Sequence, residues 1–162
     1  MLLTIEKVMI LKSVDIFSAT PEEDLIEVAS IVEEISVKKG EEFITKGDIG
    51  TSMYIIIEGQ VRVHDGDREL AKLGRRTVVG DMSALDPEPR NASITAIEDT
   101  ELFRLDGGPL YDLMAEHIEV VRGITRVLCQ RLRNANSEIA RLKNEKGKGQ
   151  KGRNHNLGEQ IG

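Results

Sequence analysis

The pattern of apolar and polar positions divides the chain into a helical beginning, a middle of short strands and a helical end. Residues 1–32 carry apolar residues at helical spacing. The first helix has one predicted apolar stripe, made of Ile5, Val8, Met9 and Leu11. A second helix is predicted to begin at a capping box with Thr20 as the cap, because Pro21 and Glu23 follow at the preferred positions. Its apolar positions are Leu25, Ile26, Val28, Ala29 and Val32.

Residues 33–106 form short segments that are separated by glycine-containing turns. Several segments alternate with a period of two, as where valines flank Arg62 on both sides. This period is typical of strands with one buried face. The segments are EEISV, EFIT, MYIIIEG, QVRVH, RELAKL, RRTVV, NASITAI and TELFRL. We predict a mainly β fold with flanking helices: an antiparallel β-barrel or jelly roll (a double-stranded β-helix) with N-terminal helices and a long C-terminal helix.

Residues 107–143 return to a helical period, with a short helix followed by a longer one from about Ile118 to Lys143. Counted in heptads, the longer helix has a two-position apolar stripe within residues 118–142. The stripe consists of Ile118, Val121, Thr125, Leu128, Leu132, Ala135, Ile139 and Leu142. Two interpretations stay open, since such a stripe either joins two copies as a homodimer or packs on the chain's own barrel. Both can hold along different stretches of the helix.

These patterns give four segments. Residues 1–32 are the N-terminal helices, and residues 33–116 are the barrel with the short helix that follows it. Residues 117–143 are the long C-terminal helix. Residues 144–162 are rich in glycine and almost free of apolar residues, so we predict a flexible tail.

Composition narrows the classes of function. The net charge of -6 argues against unassisted binding to DNA or to an anionic membrane, because both need a basic surface. The single cysteine, Cys129, cannot form an internal disulfide, so we expect a reducing compartment and a cytoplasmic location. No apolar run approaches the ~20 residues of a membrane-spanning helix, and we therefore expect no membrane span in this chain.

The sequence carries no pattern typical of catalysis or of a metal site. His64, His117 and His155 lack the spacing of metal ligands. A Gly-x-Ser-x-Gly elbow and a P-loop are also absent from the sequence. We predict that the chain is not an enzyme, has no catalytic residues and holds no metal and no cofactor.

The segment from Gly80 to Ser93, GDMSALDPEPRNAS, has the chemistry of an anion site. Its first residues can form one helical turn whose leading N–H groups are free for an anion. Arg90 then opens a strand, where its guanidinium can pair with two phosphate oxygens in a fixed fork. The carboxylate of Asp81 can accept from a hydroxyl. A ribose 3′,5′-cyclic phosphate needs both an anion grip and an acceptor for its 2′-hydroxyl.

Here the sequence resembles the cyclic-nucleotide-binding domain family. Gly80 and Arg90 stand at the separation found in the family's phosphate-binding cassette. A second family motif is matched by Gly47, Asp48, Gly50, Tyr54, Ile56, Gly59, Val61 and Val63. An upstream pattern is matched by Leu11, Lys12, Val14, Phe17, Gly40 and Glu41. The resemblance covers about residues 10 to 143.

The cassette departs from the family's pattern at four positions. Asp81 replaces a longer glutamate, Val79 replaces phenylalanine, Arg76 replaces a turn glycine and Asn91 replaces alanine. The loss of one hydrogen bond to a charged acceptor is worth about 1.5–3 kcal/mol, so these departures are expected to weaken ligand binding and do not by themselves indicate its loss.

The resemblance implies a cyclic nucleotide-binding regulatory or sensor domain that signals through its C-terminal helix. We expect a cyclic nucleotide monophosphate as the ligand, with cAMP preferred to cGMP. The residues expected to bind it are Gly80, Asp81, Met82, Ser83, Arg90, Asn91, Ser93, Asn134 and Asn136. The last two follow an Arg-Leu pair on the long helix, where relatives of the catabolite-activator type meet the base. The alternative is a degenerate member of the fold that acts as a ligand-free interaction or structural module.

The output of the domain stays open. In regulators of the catabolite-activator type, a helix-turn-helix domain follows the long helix. The residues after Lys143 carry no helical period, so we expect no direct DNA binding by this chain. The sequence fits a freestanding sensor and equally one regulatory part of a larger effector protein.

Overall fold

The structure is a computed structural model, which describes residues 1–153 and gives residues 150–153 by their backbone only. The chain forms two compact units, the first spanning Met1–Ile124 and the second beginning at Thr125. The N-terminal part of the first unit contains the helix α1, a short 3₁₀ helix and the helix α2. Their bounds are Thr4–Ser13, Asp15–Phe17 and Glu22–Ile31.

The face that α1 buries differs from the predicted stripe. Val8 and Leu11 are buried as predicted, together with Ile10, whereas Ile5 and Met9 are exposed. The apolar residues of this short helix lie on most of its sides, so helical spacing alone does not determine which side packs against α2. Ile26 of α2 was likewise predicted at an apolar position but is half-exposed.

The strands of the described chain are all paired antiparallel and form two four-stranded sheets and one two-stranded ribbon. Their bounds are β1 Glu33–Val37, β2 Glu42–Ile44, β3 Ile49–Gly50, β4 Ser52–Glu58, β5 Val61–Asp65, β6 Arg68–Leu73, β7 Val78–Val79, β8 Glu88–Pro89, β9 Ser93–Ala96 and β10 Thr100–Asp106. The sheet orders are β1-β10-β4-β7 and β2-β9-β5-β6, and the ribbon is β3-β8.

The aliphatic core is contributed by both four-stranded sheets, which is the arrangement of a jelly-roll barrel. Its buried members are Val37, Ile44, Ile56, Val61, Ile94, Ala96 and Leu102. The predicted mainly β fold with flanking helices is therefore confirmed. The ribbon β3-β8 was not predicted, because each of its strands has only two residues and one of them contains a proline.

Three helices follow or interrupt the barrel strands: α3 Asp81–Leu85, α4 Gly107–Glu116 and α5 Ile118–Arg153. Helix α5 continues ten residues beyond Lys143, into the segment predicted as a flexible tail. Lysine, glutamate and glutamine are good helix formers, and they carry the helix past Gly147 and Gly149 although each glycine costs about 1 kcal/mol relative to alanine. The rest of that segment, 154–162, lies outside the described residues. Within residues 1–153, no helix is long and apolar enough to cross a membrane.

The predicted capping box of α2 is wrong. Pro21 occupies the cap position, where it makes no side-chain cap hydrogen bond. The Thr20 side chain is instead fully buried, and its hydroxyl has no hydrogen-bond partner within the described residues. A Cβ added at Gly123 in α5 would lie 2.4 Å from that hydroxyl oxygen. Thr20 thus packs against the start of α5, which keeps its hydroxyl away from the first N–H groups of α2.

Candidate functional site

A cavity of about 350 Å³ opens on the barrel wall beside α3. Its apolar side comes from barrel strands and includes Ile44, Val63 and Ile94. Its polar side comes from the segment 80–91, which the sequence singled out. A pocket of this size, mostly apolar with a few polar groups, is typical of small-molecule sites.

Gly80 turns the chain from β7 into α3 with a φ of 76°, a left-handed conformation that favours glycine. Met82 and Ser83, in the first turn of α3, line the cavity. The N–H of Met82 donates to the Asp81 Oδ1 atom at 2.8 Å. That carboxylate therefore accepts from its own helical turn.

Arg90 is the central polar residue of the cavity. Its Nη2 donates to the Ser52 carbonyl oxygen at 2.8 Å. A Cβ added at Gly50 would lie 2.3 Å from its Nε, and one added at Gly80 would lie 2.3 Å from its Nη1. The guanidinium therefore lies between two glycines, in a space that any other residue at either position would fill.

The backbone of Arg90 is held as firmly as its side chain. Its N–H donates to the Asp48 carbonyl at 2.8 Å, and its own carbonyl accepts from the Gly47 N–H at 2.9 Å. Burial lowers the pKa of the Arg90 guanidinium, and Tyr54 acts in the opposite direction. The group stays a cation at neutral pH, since the ordinary pKa of arginine lies far above neutrality. The cavity therefore has a fixed positive charge in its wall.

The cavity brings together some of the predicted ligand-binding residues, namely Gly80, Met82, Ser83, Arg90 and Asn91. Asp81 and Ser93 are not part of its lining.

The other predicted contacts have different surroundings. Ser93 is buried, and its hydroxyl oxygen accepts from the Lys46 N–H at 2.9 Å. Asn134 and Asn136 belong to the second unit, where both are exposed. The Asn134 Oδ1 atom accepts from Gln130 Nε2 at 2.9 Å.

Sequence reasoning missed Ser52 and Gly50, which position Arg90, and also Asp86 and Glu88, which line the cavity. Gly50 is part of the second family motif, but spacing alone does not say that its missing side chain makes room for Arg90. The contact of Ser52 is made by its carbonyl, so no side-chain pattern could predict it.

Helix α3 is tied to α4 by two contacts. The Tyr111 hydroxyl donates to the Leu85 carbonyl at 2.5 Å. A Cβ added at Gly107 would lie 2.3 Å from the Ala84 carbonyl oxygen, so the start of α4 touches the backbone of α3. A shift of the cavity wall at α3 would therefore displace the groups of α4 that contact it, and α4 leads directly into α5.

The histidines have structural surroundings. The His64 ring contacts the Gly66 carbonyl at 2.8 Å and the Thr95 hydroxyl at 2.7 Å. His117 lies 3.9 Å from an Asp24 carboxylate oxygen, and His155 lies outside the described residues. Within the described part of the chain, no group of three or more His, Cys, Asp or Glu side chains is arranged to hold a metal ion.

Comparison with known proteins identifies the fold family. The sequence profile of the family described as "Cyclic nucleotide-binding domain" matches residues 34–117, which include the whole cavity wall from β2 to β9. The chain belongs to the cyclic nucleotide-binding domain family. Members of this family are regulatory ligand-binding domains rather than catalytic ones.

The chain is similar to a "CRP-like cAMP-activated global transcriptional regulator" of Mycobacterium tuberculosis, with 28% identity over 82% of this chain and 62% of that protein. It is also similar to the "Cyclic AMP receptor protein" of Thermus thermophilus, with 36% identity over 62% of this chain and 49% of that protein. The chain therefore spans only about half to three fifths of these curated relatives.

A solved structure with the same fold is the N-terminal domain of a transcriptional regulator from Streptomyces coelicolor. The TM-score is 0.75 at 29% identity, over 80% of this chain and 94% of that domain.

The Arg90 guanidinium lies where a side chain at residue 50 would be, which a substitution of Gly50 tests. Gly50→Ala should displace the guanidinium and break its bond to the Ser52 carbonyl, because the added Cβ would overlap Nε and Cζ. The stability loss should be about 1 kcal/mol, since only the end of a flexible side chain has to move. A crystal structure of the variant would detect the displacement. The matched control is Gly74→Ala, where a Cβ meets nothing within 4 Å. An unmoved Arg90 in Gly50→Ala would contradict the proposed arrangement.

Proposed function

We propose that this chain is a sensor that binds a cyclic nucleotide monophosphate in the cavity beside α3, with cAMP preferred to cGMP. The observation that carries the proposal is the Arg90 guanidinium, which is fixed between Gly50 and Gly80 in the cavity wall. A fixed guanidinium suits a phosphate because its planar fork matches two phosphate oxygens and loses little entropy on binding. We propose no enzymatic activity.

The phosphate would lie against Arg90 and the first turn of α3. The N–H groups of Ser83 and Asn91 are the proposed backbone donors beside it, and both residues line the cavity. The Ser93 hydroxyl accepts from the Lys46 N–H, which leaves its own O–H to donate to a phosphate oxygen. A local change would be needed, because Ser93 is buried and is not part of the cavity lining. The Asp81 carboxylate would accept from the ribose 2′-hydroxyl, since an ionised carboxylate accepts several hydrogen bonds at once.

Asn134 and Asn136 are the proposed readers of the base. An amide both donates and accepts, so it can pair with the N6/N1 edge of adenine. Both side chains are exposed, and we propose that α5 shifts when they contact the base. Such a movement of α5 is the proposed signal, since a ligand that contacts only one of two helix positions shifts the population toward it.

The output surface is the apolar stripe of α5. In the second unit, Leu132, Ile139 and Leu142 are 65%, 52% and 51% exposed. We propose that the stripe pairs with a second copy in a parallel homodimer. In heptad register that arrangement places Glu138 of one helix opposite Lys143 of the other, an attractive flanking pair.

The chain either acts as a freestanding sensor or regulates a larger protein of which it is part. We propose a cytoplasmic location, in keeping with the single cysteine. We also propose that the chain makes no direct contact with DNA, because its net charge of -6 disfavours binding to phosphate groups.

A second candidate function is that of a ligand-free interaction module. It is favoured by the hydrogen bonds that two of the proposed ligand-binding side chains already make within the chain. Arg90 donates to the Ser52 carbonyl, and Asp81 accepts from the Met82 N–H. Titration with cAMP and cGMP separates the two functions, because the module would bind neither.

Arg90→Ala should weaken cAMP binding about a hundredfold, because the loss of a bidentate charge-assisted contact costs roughly 3 kcal/mol. Isothermal titration measures the change, and circular dichroism verifies that the variant is folded. Arg68→Ala is the control, since Arg68 is an exposed arginine at the start of β6. Equal affinity in Arg90→Ala and the parent would show that the phosphate is held elsewhere.

Leu132→Lys and Ile139→Lys should each convert a dimer into a monomer, because a lysine in the apolar stripe would have to be buried between the two helices without a partner. Sedimentation equilibrium measures the mass of each species. Ala140→Lys places the same charge outside the stripe and should leave the dimer intact. A parent that stays monomeric at high concentration would rule out the homodimer.

A further inference from the structure

The charged residues that line the cavity are Asp86, Glu88 and Arg90. Both carboxylates follow α3 within the cassette and both are exposed at the mouth of the cavity. Within residues 1–149, neither has a basic nitrogen within 4.0 Å. Their negative charges are therefore neutralised by no neighbouring side chain of the described chain.

Glu88 has a fixed position relative to Arg90. Its backbone pairs with Gly50 in the β3-β8 ribbon. Gly50 in turn touches the Arg90 side chain, whose Nε would lie 2.3 Å from a Cβ at that glycine. The ribbon thus holds one carboxylate-bearing residue beside the cation that we propose for the phosphate.

The sum of these three side-chain charges is one negative charge. A cyclic phosphodiester carries a single negative charge, which Arg90 can balance. A linear nucleoside monophosphate carries about -1.5 to -2 near neutral pH, as any phosphate monoester does. Its additional charge would lie near Asp86 and Glu88 without a cation to balance it.

We propose that Asp86 and Glu88 are specificity-determining residues that exclude dianionic linear nucleotides and leave the monoanionic cyclic phosphodiester as the ligand. This inference rests on the proposed cyclic nucleotide site. Hydrolysis of the cyclic diester gives the linear nucleotide, so the two carboxylates keep the sensor from responding to the hydrolysis product of its own ligand. Repulsion acts through space, so neither carboxylate has to touch the nucleotide.

The test compares cAMP and 5′-AMP as competitors of a fluorescent cyclic nucleotide on the full chain. The measured quantity is the ratio of the two dissociation constants, in which differences of shape between the ligands cancel when variants are compared. Asp86→Asn and Glu88→Gln should each change the ratio about threefold in favour of AMP. That factor is what one charge at about 7 Å gives in a water-like dielectric. In the double variant the ratio should change about tenfold. If AMP does not compete for the parent at all, it should compete for the double variant.

The control is Asp67→Asn combined with Glu69→Gln, which removes two exposed charges from the β5-β6 hairpin and changes the net charge equally. It should leave the ratio unchanged. Added salt should reduce the discrimination in the parent and have little effect in the double variant, because exposed charges are screened.

The outcomes distinguish this inference from the proposed function. A parent that binds cAMP but gives the same ratio as the double variant would overturn the role of Asp86 and Glu88 and leave the site intact. An equal change in the Asp67/Glu69 control would overturn that role too, since the effect would then come from the net charge. A parent that binds neither ligand would overturn both proposals.

Discussion

The Arg90 guanidinium can lie in the cavity wall only because two glycines leave it space. Gly50 and Gly80 approach it from separate segments, and the Ser52 carbonyl fixes its orientation. Neither glycine can be enlarged without moving the guanidinium. The side chain is therefore arranged before any ligand is bound, which is the condition under which a charge-assisted contact costs least entropy. The backbone bonds of Arg90 to the turn that contains Asp48 hold the segment between β8 and β9, to which Arg90 belongs.

The same constraint connects the cavity to the helices. Gly80 both makes room for Arg90 and turns the chain into α3, so the position of the cation and the position of the helix are linked. Helix α3 then contacts α4 through the Tyr111 hydroxyl and through Gly107. Helix α4 leads into α5. A phosphate that pulls on Arg90 would therefore act on a continuous series of packed elements, all within the first unit up to residue 124.

Much of this arrangement follows from local sequence patterns, and the rest depends on contacts that no local pattern contains. The alternation around Arg62 predicted a strand because a half-buried strand has a period of two. The exposure of Ile5 was not predictable, since apolar residues surround α1 and only packing against α2 decides which of them are buried. Thr20 matched a capping box but is buried against Gly123, more than a hundred residues away in sequence. The role of Gly50 likewise depends on a residue forty positions later.

The central claim is that the fixed Arg90 guanidinium is a phosphate site for a cyclic nucleotide. Its most direct test is a crystal structure of the chain grown with saturating cAMP. We expect the cyclic phosphate within hydrogen-bond distance of the Arg90 guanidinium, with Gly50 and Gly80 still enclosing that side chain. A cavity without nucleotide under those conditions, or a nucleotide bound on another surface with Arg90 still bonded only to Ser52, would contradict it.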